Sequence, residues 1–228
     1  MNIAIVLASG KGTRMTNHRV PKAFIDVGGK PLLYYSLSTF QNCSLIDQIV
    51  LAVPKEYLKT ASKYRDIYGL NKLAHVIVGG VTRQESVRLA LDYIKAFPED
   101  IVLIHDSARP LVSERIIFSN IQIASKTGAV ATVMPASDTI IVSKNGDVVD
   151  DVPDRSKCFI EQTPASFRFD VIHRAHQEAL KDHINDISDD VKLVKRLGVE
   201  VVMVLGERKN FKVTNEEDLE YLLTLLGK

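Results

Sequence analysis

Residues 7–15, LASGKGTRM, follow directly on the apolar run NIAIV (Asn2–Val6), and the reading of that junction decides the fold. A short run of apolar residues with no polar alternation fits a strand buried on both faces. After it come Ser9, Gly10, Gly12, Thr13 and Arg14, with Lys22 close behind in RVPKAF. A strand that ends in a glycine-bearing loop lets backbone N–H groups approach phosphate oxygens, which side chains at Gly10 and Gly12 would obstruct. Spacing excludes two named phosphate loops. The dinucleotide fingerprint GxGxxG meets Met15 where its third glycine belongs, and GKGT lacks the spacing of the GxxxxGK[ST] loop. What remains is a glycine loop with two cations, Arg14 and Lys22, able to neutralise a triphosphate and to hold charge that develops as it is cleaved. A solvated turn with surface Arg and Lys reads the same way, so the loop alone leaves both open.

Outward from this junction the same strand type recurs. IDQIVLAV, AHVIVGG, DIVLIHD, GAVATVMPA and GVEVVMVLG alternate with PLLYYSLSTFQ, KEYLKTASKY, RQESVRLALDYIKAF and SERIIFSNIQIASK, whose apolar residues recur at three and four spacing. That alternation predicts βαβ units: an α/β protein with a Rossmann-like, mainly parallel sheet flanked by helices. In such sheets ligands sit beyond the carboxyl ends of the strands, where LASGKGTRM lies. Further helices are expected near Phe169–Leu180 and Asp190–Leu197, and from Asn215 or Glu216 to Leu225. One segment breaks the rhythm. TIIVSKNGDVVDDV (Thr139–Val152) sets two β-rich runs around Asn145-Gly146, the pair that suits a type I′ turn. It predicts a hairpin arm over about residues 137–160, either a solvated ribbon or a dimerisation arm.

The chain of 228 residues is 46% hydrophobic and has no internal repeat or linker, so a single domain over residues 1–228 is expected. Lys plus Arg (29) nearly balances Asp plus Glu (28), which argues against nucleic acid or an anionic membrane as partner. No apolar run approaches the roughly 18 residues of a membrane span, and no signal-peptide pattern opens the chain; a cytoplasmic protein is expected. Cys43 and Cys158 show no metal-ligand spacing and read as reduced thiols.

LASGKGTRM with PKAF resembles the L-x-x-G-x-G-x-R-M…P-K signature of sugar and polyol phosphate nucleotidyltransferases. GGVTRQESV (79–87), HDSARP (105–110), SDT (137–139), DR (154–155), QTP (162–164), SDD (188–190) and FKVTNEEDL (211–219) then follow. This is the order seen in cytidylyltransferases for 2-C-methyl-D-erythritol 4-phosphate and in their relatives acting on ribitol 5-phosphate. The resemblance covers nearly the whole chain. It implies the nucleotidyltransferase fold and transfer of CMP from CTP to a polyol phosphate with release of pyrophosphate. It also implies Mg²⁺ or another divalent cation, and a homodimer.

Carried over residue by residue, the resemblance gives catalytic roles to Arg14, Lys22 and Lys212. CTP would be held by Ala8, Ser9, Gly10, Gly12, Thr13, Gly80, Val81, Ser86 and Ser107. The acceptor would be bound by Asp106, Arg109, Thr139, Arg155, Thr163 and Ser188, with Asp106 also the metal ligand. Thr139, Arg155 and Thr163 flank or follow the arm and would complete the partner subunit's site. His105 reads as structural, since the reaction needs no proton shuttle. Ser9, Ala23, Ala165 and Ser188 depart from the family's usual residues. HDSARP, QESV and SDD match the methylerythritol phosphate enzymes, the expected acceptor class; DVPDR and QTPASFR match the ribitol phosphate enzymes, the alternative. A hexose 1-phosphate uridylyl- or guanylyltransferase would lack HDSARP, QTP and FKVT. A catalytically silent nucleotide-binding module would have no use for the retained cations.

Overall fold

A computed structural model of the chain describes residues 1–10 and 20–227. In chain order its strands are β1 (Asn2–Leu7), β2 (Gln48–Val53), β3 (Leu73–Val78), β4 (Ile101–Asp106), β5 (Ala129–Pro135), β6 (Phe159–Arg168) and β7 (Val202–Leu205). The α-helices are α1 (Leu32–Asn42), α2 (Leu58–Ala61), α3 (Tyr64–Ile67), α4 (Arg83–Tyr93), α5 (Glu114–Thr127), α6 (Phe169–Lys181), α7 (Asp190–Arg196) and α8 (Glu216–Leu225). All seven strands form one sheet in the order β3-β2-β1-β4-β6-β5-β7. Neighbours run parallel except at β6, which is antiparallel to both β4 and β5.

The apolar runs belong to strands because each is covered on both faces. Ala4 and Val6 of β1, with Leu51 and Leu103, join Leu33, Leu37 and Phe40 of α1 and Ile116 and Ile117 of α5 on one side. Ile3, Ile5 and Leu7, with Ala52 and Ile104, join Val87 and Leu91 of α4, Ile172 of α6 and Leu193 of α7 on the other. Each such aliphatic side chain, fully removed from water, stabilises the fold by about 1.5–3 kcal/mol before chain entropy is counted. Helix starts follow sequence signals: Thr82 accepts from the Glu85 N–H at 3.1 Å, Ser113 from Ile116 at 3.3 Å, and Asn215 forms a reciprocal capping box with Asp218. A third, smaller cluster packs Leu219 and Leu222 of α8 on Ile25, Val27 and Leu32 and buries Val213 beside Lys212. That packing fixes the loop that delivers the lysine.

The sheet is mainly parallel, as expected, with one addition: the segment with QTPASFR is an antiparallel strand inserted between β4 and β5. Pro164 in that segment masks the strand signal in the sequence. Two expectations change. The segment KEYLKTASKY is not one helix but a 3₁₀ turn at Lys55–Tyr57 followed by two single turns, α2 and α3. The arm is not a regular hairpin. Its one bridge pairs Val142 with Asp151. Gly146 has φ +85°, whereas the one non-glycine residue with positive φ among the described residues is His183, so a type I′ turn, which needs both central residues there, does not form. Instead Asn145 Oδ1 accepts from the Asp147 and Val148 N–H groups at 3.0 and 3.2 Å, and Ser143 Oγ accepts from Gly146 at 2.9 Å and donates to the Val148 carbonyl at 2.6 Å. Short polar side chains here outcompete a strand ladder that has no core to pack against.

Candidate active site

The carboxyl ends of β1, β3 and β4 open into a cleft of about 1200 Å³. It brings together Ala8, Ser9 and Gly10 from the end of β1, Lys22, Gly80 and Val81 after β3, Asp106 and Ser107 after β4, and Lys212 before α8. These are sequence-predicted residues far apart along the chain. Gly12, Thr13 and Arg14 lie outside the described residues.

The end of β3 needs two glycines for space. A Cβ on Gly79 would fall 2.4 Å from Ser9 Cβ, and one on Gly80 would fall 2.3 Å from Glu85 Cγ. Ser86 Oγ accepts from the Gly80 N–H at 3.0 Å, donates to the Thr82 carbonyl at 2.9 Å and lies 2.8 Å from Ser9 Oγ. Ser9 thus ties the first loop to the third. The Val81 N–H donates to Glu85 Oε2 at 2.6 Å, and Val81 itself is 89% exposed at the rim. Both backbone N–H groups are committed within the fold, so what this turn can offer a base is carbonyl oxygen.

Asp106 is the electrostatic centre. Its Oδ1 accepts from Arg83 Nε at 3.2 Å, its Oδ2 from Lys212 Nζ at 2.6 Å, and its N–H donates to Thr163 Oγ1 at 3.0 Å. Burial by itself would raise its pKa, but Arg83 and Lys212 outweigh it and hold the carboxyl well below the usual carboxylate range. Arg83 Nη1 also donates to Asp190 Oδ2 at 2.6 Å, and Asp190 Oδ1 meets His176 Nε2 at 3.0 Å. Burial opposes the Arg83 charge, yet Asp190 and Asp106 raise its pKa above the ordinary value.

The Lys212 loop is tied down from several directions. Lys22 Nζ donates to the Val213 carbonyl at 2.7 Å, so one of the two lysines given catalytic roles from the sequence reaches the residue next to the other. Arg109 donates to the Asn210 carbonyl at 2.8 Å and to that of Glu161 at 3.1 Å. Asn210 Nδ2 donates to the Thr163 carbonyl at 2.8 Å, and the Val213 N–H donates to the Ala108 carbonyl at 2.8 Å. His105 is buried between Thr163 Oγ1 and the Arg109 carbonyl, and burial lowers its pKa to about 4, so it stays neutral and structural. Glu161, on β6, is pushed up to about 7 by burial, with Asp189 adding to the shift.

The acceptor set is less gathered. Asp106 lines the cleft, but Thr163 spends its hydroxyl on Asp106 and His105, and Arg109 spends its guanidinium on two carbonyls. Ser188 Oγ donates to Asp189 Oδ2 at 2.9 Å. Thr139 and Arg155 sit on the exposed arm, where Arg155 Nη1 donates to the Ser137 carbonyl at 3.1 Å, and neither lines the cleft. For a metal, both Asp106 oxygens already accept from cations, and among the described residues no group of three or more His, Cys, Asp or Glu could hold an ion. This donor set fits an ion carried in on a nucleotide's own phosphates, not a resident one.

Sequence reasoning missed Arg83, Asp190, His176, Asn210 and Glu161. Arg83 and Asp190 lay inside quoted motifs, which was the available signal; nothing local marked the others. Two departures acquire a structural setting: Ala23 and Ala165 are buried in apolar clusters, where an amide would need partners.

Residues 2–227 match the protein family described as 2-C-methyl-D-erythritol 4-phosphate cytidylyltransferase. A curated relative of that name from Clostridium novyi (strain NT) is 42% identical over 219 residues, covering 96% of this chain and 93% of the relative. Another, from Clostridium botulinum (strain Langeland / NCTC 10281 / Type F), is 38% identical over 220 residues, covering 96% and 94%. Among solved structures, 4-diphosphocytidyl-2C-methyl-D-erythritol synthase from Anaerococcus prevotii DSM 20548 superposes with a TM-score of 0.84 at 28% identity over 100% of this chain and 96% of that one. The 2-C-methyl-D-erythritol 4-phosphate cytidylyltransferase from Thermus thermophilus does so with a TM-score of 0.80 at 30% identity over 100% of both chains.

Proposed function

Since the chain belongs to the 2-C-methyl-D-erythritol 4-phosphate cytidylyltransferase family, we propose that the cleft around Asp106 is where its reaction takes place, with Lys22 and Lys212 as the described cations. The enzyme transfers a cytidylyl group from CTP to 2-C-methyl-D-erythritol 4-phosphate, a step toward isoprenoid precursors. The ribitol 5-phosphate alternative, suggested by DVPDR and QTPASFR, is not favoured. The observation that carries the site reading is the convergence of the two lysines: Lys22 on the Val213 carbonyl and Lys212 on Asp106, at one mouth of the cleft.

A phosphate oxygen of the acceptor attacks the α-phosphorus in line, and the P–O bond to the pyrophosphate leaving group breaks. The attacking oxygen is already anionic, so positioning and charge stabilisation suffice and no general base is needed. CTP lies along the loops after β1 and β3, with Ala8, Ser9, Gly10, Gly12, Thr13, Gly80, Val81, Ser86 and Ser107 around it. The exocyclic amine of cytosine donates to a carbonyl of the Gly80–Val81 turn; uracil would present an acceptor there and be rejected. Arg14 and Lys22 neutralise the phosphates. Lys212 exchanges Asp106 for the α-phosphate and stabilises its crowded transition state. A Mg²⁺ ion or another divalent cation would be held by the triphosphate with Asp106 as its protein carboxylate, and would supply further charge neutralisation.

The acceptor is held by Asp106, Ser188 and an Arg109 that turns from its two carbonyls, joined by Thr139 and Arg155 from a second copy; Thr163, expected to complete the partner's site, instead supports Asp106 of its own subunit. Support for a homodimer is the arm's row of apolar side chains in solvent, Ile141, Val142, Val148, Val149 and Val152, which are more than 40% exposed. Arg155 suits a phosphate dianion because its guanidinium offers a two-pronged donor. The whole chain serves as one cytidylyltransferase domain in the cytoplasm, without nucleic acid or membrane partners. No described helix is long and apolar enough to cross a membrane.

The test is pyrophosphate release with CTP and Mg²⁺, comparing 2-C-methyl-D-erythritol 4-phosphate with ribitol 5-phosphate, and CTP with UTP, ATP and GTP. Preference for CTP and the first acceptor by about 100-fold or more is expected, since a mismatched buried hydrogen-bond group carries penalties of that order. Equal rates with both acceptors would sink the acceptor assignment, and equal rates with UTP the proposed carbonyl readout.

A further inference from the structure

One buried titratable group has no place in the reaction as described. His176, on α6, is 1% exposed and does not line the cleft. Its Nε2 meets Asp190 Oδ1 at 3.0 Å; Asp190 Oδ2 takes Arg83 Nη1 at 2.6 Å; Arg83 Nε reaches Asp106 Oδ1 at 3.2 Å; Asp106 Oδ2 takes Lys212 Nζ at 2.6 Å. These four links run unbroken from the back of α6 to the reacting end of the cleft. Burial would favour a neutral Asp190, but Arg83 and His176 lower its pKa, so it is a carboxylate and the Nε2 of His176 carries the hydrogen. His176 Nδ1 is buried with no hydrogen-bond partner, so the side chain's one hydrogen bond among the described residues is the one to Asp190.

Arg83 grips two carboxylates through one planar fork, and a rotation that follows one of them loses the other. A donor that fixes Asp190 therefore fixes Arg83, and with it the face that Asp106 turns to Lys212. We propose that His176 is a positioning residue for cytidylyl transfer: by holding Asp190 it aims Arg83 at Asp106, and Asp106 in turn holds the Lys212 ammonium where the α-phosphate arrives. This inference rests on Lys212 being the transition-state cation.

A double-mutant cycle on the full-length protein separates the two. His176→Leu keeps apolar packing and removes the donor; His176→Gln returns an amide donor at a reach close to that of Nε2. With correct folding checked by circular dichroism, His176→Leu is expected to lower kcat about tenfold while leaving the KM for CTP within about twofold. The same change on a Lys212→Ala background is expected to cost less than about twofold, because coupled residues lose their effects together. His176→Gln should recover most of kcat. An equal factor in both backgrounds makes His176 merely structural and overturns the proposal, as does an unchanged kcat in His176→Leu. A Lys212→Ala variant with unimpaired kcat refutes the site reading instead. If His176→Leu does not fold, His176→Gln is compared with His176→Asn, whose amide sits one bond nearer the backbone: equal turnover by both overturns the proposal, and loss confined to Asn supports it.

Discussion

Replacing Lys212 by alanine tests the central claim, because the structure says what the lysine does before any nucleotide arrives. In the free enzyme its ammonium is already paired, 2.6 Å from Asp106 Oδ2, and the side chain is 37% exposed. If Lys212 takes the α-phosphate as proposed, binding CTP exchanges one partly solvated ion pair for another. The net gain from such a pair is about 0–1 kcal/mol, so the ground-state affinity for CTP should fall by no more than about fivefold in Lys212→Ala. The transition state differs: charge grows on the α-phosphate oxygens as the leaving group departs, and losing a preorganised donor aimed at such charge costs about 10²–10³ in kcat. The assay is pyrophosphate release at saturating CTP and 2-C-methyl-D-erythritol 4-phosphate, set beside calorimetric titration of CTP in the absence of acceptor. A large loss of kcat with nearly unchanged affinity is expected. Equal losses in the two measurements would mean that Lys212 serves ground-state binding only, and the exchange argument would be wrong.

Two further outcomes follow from the same geometry. If the arm completes the partner subunit's site, mixing Arg155→Ala with Lys212→Ala should restore about a quarter of wild-type activity, since half of randomly exchanged dimers are mixed and each carries one intact site; no recovery after verified subunit exchange would refute the shared site. Glu161 titrates in the fold near 7, above its ordinary value. The folded state therefore binds more protons than the unfolded one between about pH 4.5 and 7, and stability is lost as pH rises through that window. A value near 7 against the ordinary 4.5 corresponds to about 3 kcal/mol, so Glu161→Gln should remove this loss and raise Tm at pH 8 by about 6–12 °C relative to wild type, with a much smaller difference at pH 5; parallel curves of Tm against pH for the two proteins would show that Glu161 is not so perturbed.

Much of the architecture was legible in the sequence. Continuous apolar runs marked the buried strands β1, β2 and β4, and three-and-four spacing marked α1, α4, α5 and α6, because both periods are set by the backbone itself. The chain order of its motifs resembled one family, and the comparisons show that family. The cleft gathers nine of the expected site residues, from Ala8 to Lys212, because strand ends in an α/β sheet deliver their loops to one edge. The arm was located, but its turn was misjudged: Asn145-Gly146 signals a two-residue turn only when strands flank it, and here Ser143 and Asn145 side chains close the loop instead. The strand β6 was hidden by Pro164. Only the tertiary structure could show that Asp106 is gripped by Arg83 and Lys212, that Thr163 serves Asp106 and His105, and that His176 stands behind Asp190. The sequence by itself determined the elements and the residue types at their ends, since these depend on neighbours within a few positions. Which charges meet was decided by the packing of α4, α6, α7 and the Lys212 loop on β4, since a buried carboxylate accepts whichever cation the fold brings within hydrogen-bond distance, whatever their separation along the chain.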